Sequence, residues 1–213
     1  MTSLSQGKLR RAIEDAGYLL SRGYPSRAVS ELVADHLELS ADERQALVAL
    51  AAVRAKTTHH IARELEWEDI AKRPLRVDAE SALGTVSAAL TGAPLLSSPA
   101  GVVIDPNWRR GSALDERAFQ LVADAVEAAR PSVARFMIDA SHPQADTLGG
   151  WVASRSSKKR PMELKKLGSV VERLHGAAQL VSSDPVLLDA CVSWVNVIAR
   201  AVRAAGGEPV ALE

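Results

Sequence analysis

The residues best placed to do chemistry are five aspartates: Asp78, Asp105, Asp139, Asp184 and Asp189. Four of them follow short apolar runs. Leu75 to Val77 ends at Asp78, Gly101 to Ile104 at Asp105, and Val133 to Ile138 at Asp139. Ala177 to Val181 passes through Ser182 and Ser183 into Asp184. If the runs are parallel strands, their C-termini share one edge, where open α/β sheets place their sites. Carboxylates crowded there repel one another unless a cation neutralises them. Hard oxygen ligands suit Mg²⁺ or Mn²⁺. Such an ion activates water for attack on a phosphodiester. Asp189 lies just over one helical turn beyond Asp184 and is able to add an outer ligand. Any one aspartate after a strand is more often a helix cap or turn residue; the coincidence of four puts the site reading on equal terms.

Two basic features are able to hold a phosphate backbone near such a centre. Arg109 and Arg110 follow Asp105 beside Trp108. Arg155, Lys158, Lys159 and Arg160, continued by Lys165 and Lys166, form a basic stretch. A solvated, mobile loop is the equal alternative for that stretch. His60 and Glu64 share a helical face but lack a third ligand, and their order is not that of a metalloprotease. His142 and His175 are read as loop histidines. Ser182 and Ser183 have no partners that would make a nucleophile, and Gly149-Gly150 is a weak phosphate-loop signal.

The elements that must position these residues divide the chain. Residues 1–72 read as a helical bundle. An amphipathic helix runs from about Ser3 to Arg22 and is closed by Gly23. A second spans Ser26 to His36. A third opens on the capping box Ser40-Ala41-Asp42-Glu43 and reaches about Val53. Paired as a helix-turn-helix, the last two offer DNA a surface poor in basic residues, so packing is their simpler role. Residues 73–213 alternate strands with helices, as right-handed βαβ units do. Helices are expected over Ser81–Leu90, Leu114–Ala129, Val170–Leu174 and Pro185–Ala204, with Ser154–Lys166 a loop or exposed helix edge and 209–212 a last edge strand. The Ala-rich helix from Pro185 suits a dimer contact as well as a core.

Composition narrows the classes. Twenty-six basic and 26 acidic residues give a net charge of +0, so nucleic acid must be met by a local patch. At 4% aromatic residues, platforms for base stacking are scarce. The one cysteine, Cys191, excludes an intramolecular disulfide and a cysteine-rich zinc site, and its apolar setting suits an inert thiol. No stretch reads as a membrane span or a secretory leader, so the cytoplasm is the expected location.

Arg22-Gly23-Tyr24-Pro25 with Leu39-Ser40, then Val77-Asp78, Ile138-Asp139 and Ser183-Asp184, Leu188-Asp189 and Trp194-Val195-Asn196, resemble an uncharacterised prokaryotic family, a domain of unknown function. Its part after the bundle is similar to PIN-like nuclease domains. The resemblance implies a PIN-like α/β fold, a parallel sheet flanked by helices. It also implies a metal-dependent nuclease acting on RNA, with Asp78 and Asp184 as first- and fourth-strand acids and Asp139 as a third. The chain departs from the family in four places. Ala79-Glu80-Ser81 replaces a glycine, an aromatic residue and an asparagine. Ser87 replaces a glutamate. Ile104 precedes Asp105 where an arginine is usual, and Ser141-His142-Pro143-Gln144 replaces a Ser-Asn-Ser-Gly loop. Loss of one ligand weakens a small acidic cluster. The sequence therefore carries two readings: a nuclease, its site intact or degenerate, or an inactive PIN-like scaffold that binds nucleic acid or a protein partner.

Overall fold

The structure, a computed structural model, describes residues 3–211. It begins with the expected bundle. Helix α1 (Ser3–Ser21) stops at Gly23, whose φ of +86° suits a residue without Cβ. Helix α2 (Ser26–His36) starts after Pro25, and α3 (Ala41–Ala55) after Ser40. The Ser40 N–H donates to Glu43 Oε2 at 2.8 Å and the Glu43 N–H to Ser40 Oγ at 3.4 Å, so the capping box forms. Two short helices follow, α4 (Thr57–Ile61) and α5 (Trp67–Ile70).

The rest is mixed α/β. In order come β1 (Pro74–Asp78), α6 (Ala79–Leu90), β2 (Leu96–Ser97), β3 (Val103–Ile104), α7 (Glu116–Ala128), β4 (Val133–Asp139), α8 (Ala145–Arg155), β5 (Met162–Leu167), α9 (Val170–Leu174), β6 (Leu180–Val181), α10 (Pro185–Ala190), α11 (Val197–Ala204) and β7 (Val210–Ala211). A four-stranded parallel sheet has the order β5-β4-β1-β6. Strand alternation sends Leu75, Val77, Ala134, Phe136 and Ile138 to one face. There they join Phe119, Val122 and Val126 of α7 and Val202 of α11 in a continuous core. Met137 and Leu180 join a second core with Ile13, Val33, Leu50, Leu188 and Trp194, which ties the bundle to the sheet.

Four expectations change. The run ending at Asp105 is not a parallel strand: β3 pairs antiparallel with β2 in a separate sheet of order β3-β2-β7. Its turn, where the Gly101 N–H donates to Ser98 O at 2.8 Å, is too short for the crossover that parallel pairing needs. The basic stretch contains β5, an edge strand. Edge strands carry lysines that discourage pairing with other chains, and this charge resembled a loop. The long helix from Pro185 is two helices. Between them the Trp194 backbone bridges to both Glu64 and Leu180, and Asn196 caps α11 by accepting from the Ala199 N–H. Helix α8 is absent from the sequence reading because Gly149 and Gly150 weaken its helical signal. The last strand is confined to β7, with Leu212 outside the described residues. Among the described residues no helix is long and apolar enough to cross a membrane.

Candidate functional site

Asp78 is the last residue of β1, and Asp184 lies shortly beyond the neighbouring β6. The parallel pairing of these strands brings the two carboxylates to one edge. Serines lock them there. The Ser182 hydroxyl donates to Asp78 Oδ2 at 3.0 Å, and its oxygen accepts from the Asp184 N–H at 3.0 Å. Ser81 Oγ, on the first turn of α6, lies 3.0 Å from Ser182 Oγ and accepts from the Ser183 N–H at 3.1 Å. Asp184 Oδ1 accepts from the Val186 N–H at 2.9 Å, so this residue also caps α10.

The space between the two carboxylates holds a guanidinium. Arg110 Nη2 donates to Asp78 Oδ2 at 3.0 Å and to Asp184 Oδ2 at 2.7 Å, while Nη1 reaches Asp78 Oδ1 at 3.3 Å. Asp78 is fully buried and Arg110 mostly so. A buried carboxylate that has lost its hydration needs such a partner. Several contacts hold the arginine in place. Its guanidinium carbon lies 5.3 Å from the centroid of the Trp108 ring. The Gly111 N–H donates to Glu80 Oε2 at 2.8 Å. Further along the same loop, His142 Nε2 donates to Ser112 O at 3.1 Å, because its Nδ1 already accepts from the Gln144 N–H. Glu80 Oε1 and Ser183 Oγ are buried without a hydrogen-bond partner.

The charges are strongly coupled. Burial pushes the Asp78 carboxyl above its ordinary value; Arg110 pulls it back, and the nearby Asp184 adds to the rise. Burial also works against the Arg110 charge, but Asp78 and Asp184 outweigh it and hold the guanidinium protonated beyond its ordinary value.

The other expected acids do not join this pair. Asp139 ends β4 on the same sheet edge, but its Oδ1 accepts from the Val170 N–H at 2.6 Å, at the start of α9. Asp105 leaves the smaller sheet and accepts from the Asn107 N–H at 2.8 Å, a local turn; burial raises its carboxyl. Asp189 Oδ1 lies 2.9 Å from Nε2 of the buried His60 in the bundle. The expected five-aspartate centre is thus a pair, and among the described residues no three His, Cys, Asp or Glu side chains group to hold a metal ion.

The basic residues are also redistributed. Arg110 is spent on the acidic pair, and Arg109 Nη1 turns back to the Pro106 and Trp108 carbonyls. Arg155, Lys158, Lys159 and Arg160 lead into the start of β5, at the sheet edge opposite Asp78. Arg155 binds Gln120, Asp124 and Glu127, and Arg160 binds Glu127. Lys158 and Lys159 are exposed on the turn between them. The sequence reading placed Arg110 in this region but took it for a phosphate contact. It missed Glu80 and Trp108 as the parts that position the arginine, and Ser81 as a part that holds the acidic pair, since no spacing rule links them.

No curated protein and no solved structure matches the chain. Its residues 8–61, the bundle, match the profile of a protein of unknown function (DUF434). Residues 67–200 match a second profile, which takes in β1, α6, the Arg110 loop and the Asp184 turn. With the larger part of its length inside that second profile, the chain belongs to the family described as a domain of unknown function (DUF5616).

Proposed function

We propose that residues 73–213 form a PIN-like domain that has kept a nuclease fold while its acidic centre serves as an internal ion pair. On this reading the protein is a non-catalytic scaffold for nucleic acid or a protein partner. The observation that carries it is Arg110, whose guanidinium contacts Asp78 and Asp184 together. A divalent ion at that point must first displace a charge that the surrounding loop holds in place, and an ion beside it meets cationic repulsion. The differences from the nuclease pattern that the resemblance implies, at Ala79, Ser87 and Ile104, point the same way.

One feature favours a second reading, a Mg²⁺- or Mn²⁺-dependent nuclease kept closed by Arg110. Oδ2 atoms of both aspartates face one nitrogen, as they would face one ion. A bound ion would supply an activated water there.

The two are separated by titrating Mn²⁺ and assaying cleavage of mixed RNA with wild type, Asp184→Asn and Arg110→Ala. The scaffold reading expects no cleavage that depends on Asp184 in any variant. Mn²⁺-dependent cleavage by wild type that Asp184→Asn abolishes would overturn it. Cleavage that appears only in Arg110→Ala, and is lost when Asp184→Asn is added, establishes the closed nuclease.

A further inference from the structure

The parallel sheet carries a second cluster of charge, away from Asp78. Arg76 of β1 and Arg135 of β4 are paired in register, so they project from the same face of adjacent strands. That face is opposite to the one carrying Val77 and Phe136 into the core. Like charges directly across a strand pair are destabilising. Here they form the floor of an open groove of about 750 Å³, whose rim adds Lys165, Lys166, Arg173 and His175. Among the described residues none that lines it is acidic.

Neighbouring carboxylates offset only part of this charge. Glu163 serves both Arg135, at 3.3 Å, and Lys165, at 3.0 Å. Asp146 pairs with Lys166, and Arg76 Nη1 donates to Ala178 O at 2.8 Å. Among the described residues, the Arg173 and His175 side chains have no hydrogen-bond or ion-pair partner, and both are exposed. A cluster of cations that opposes folding, fixed on a rigid sheet and short of internal counter-charge, fits an external polyanion.

We propose that this groove binds the phosphate backbone of a nucleic-acid strand. The proposal deepens the scaffold reading and rests on it. The groove is open to solvent and larger than one phosphate requires, which suits a chain of anions. Arginines match phosphate oxygens in a two-pronged geometry. The lining holds no phenylalanine, tyrosine or tryptophan and no large apolar pocket of the sort that anchors a peptide side chain. Without a stacking surface, binding is independent of base sequence and strongly dependent on salt.

The test is fluorescence anisotropy of a labelled oligouridylate with the full chain, across a series of salt concentrations. Arg173→Glu combined with Lys165→Glu is expected to weaken binding about tenfold or more and to lower the log–log salt slope by about 1.4, the share of two phosphate contacts on a single strand. Arg203→Glu, on the exposed side of α11 beyond the other sheet face, should leave both quantities unchanged. Should the double variant misfold by circular dichroism, Arg173→Gln alone carries the test, with a slope change of about 0.7. Wild type that fails to bind the oligouridylate, groove variants that bind as well as wild type, or tighter binding of an oligoglutamate peptide each overturn the proposal. RNA binding that the groove variants leave intact rejects the groove while keeping the scaffold reading. Asp184-dependent cleavage rejects that reading through a separate measurement.

Discussion

Gly84 and Trp108 meet where there is no room for a methyl group. A Cβ on Gly84 would lie 2.2 Å from Trp108 Cδ1 and 2.5 Å from Nε1. The indole rests on α6 at this glycine, and the guanidinium of Arg110 rests on the indole. The helix whose first turn carries Glu80 and Ser81 therefore also supports the arginine that neutralises Asp78. Gly84→Ala must push Trp108 away, with an expected destabilisation of about 1–3 kcal/mol from overpacking. Urea denaturation measures the loss, and indole emission, referenced to Trp108→Phe, reports the displacement. An unchanged midpoint and spectrum would show that the indole does not sit on Gly84.

Arg110→Ala leaves Asp78 buried and without its counter-ion. The expected cost at neutral pH is about 3–5 kcal/mol. The same substitution in an Asp78→Asn background should cost less, because no fully buried charge is stranded. A double-mutant cycle by chemical denaturation gives the coupling, expected at about 1–3 kcal/mol. Equal costs in both backgrounds would mean that the pair contributes nothing to folding.

Asp189 and His60 join α10 to the bundle. Asp189→Ala removes the partner of a fully buried imidazole nitrogen and is expected to cost about 1–3 kcal/mol. Hydrogen exchange localises the effect: α4 and the Trp194 segment should lose protection before β4 does, since the Trp194 indole N–H donates to His60 O at 2.8 Å. Uniform loss across the sheet would contradict a local clasp.

Glu127 sets a pH dependence of definite sign. Burial works against its charge, but hydrogen bonds and attraction from Arg155 and Arg160 outweigh burial and hold the carboxyl below its ordinary value of 4.5. A carboxyl depressed in the folded state stabilises the fold above the unfolded value, and this is lost as pH falls through the folded value. Glu127→Gln should cost about 1.5–3 kcal/mol at pH 7, a charge-assisted hydrogen bond's worth, and flatten the loss of stability below pH 4.5. Thermal melts from pH 7 downward check both. A wild-type curve that stays parallel to that of the variant would refute the assignment.

What could be read from the sequence was what local rules govern. Gly23, the Ser40–Glu43 box and Pro185 mark helix ends through short-range hydrogen bonds, and the structure places helix ends there. The runs into Asp78 and Asp139 are legible as strands because their inward residues alternate, Leu75 and Val77 on β1 and Ala134, Phe136 and Ile138 on β4, with Arg76 and Arg135 between them. Local rules fail where distant segments decide. Trp194 lies in an apolar helical pattern, but its peptide is claimed by Glu64 and Leu180, so the helix breaks. Met162–Leu167 has the charge of a loop yet completes the sheet because β4 offers it an edge. In the candidate site, the meeting of Asp78 and Asp184 follows from strand adjacency. The insertion of Arg110 depends on how a loop between two other elements folds back, and nothing in its sequence spacing encodes that.

The bridge between Glu64 and Trp194 has a consequence for how the two halves can be separated. The Leu65 N–H donates to Trp194 O at 2.9 Å, and the Trp194 N–H donates to Arg63 O at 3.0 Å. The connecting segment thereby lies alongside the sheet's β6 side as a backbone seam. Two family profiles abut at residues 61 and 67, yet this junction is where the chain is stitched to itself. A cut made there, though natural by sequence, would unzip the seam and leave backbone groups beside β6 open to other chains. The halves are therefore separable as text but not as material: each is expected to clump more readily than the whole protein.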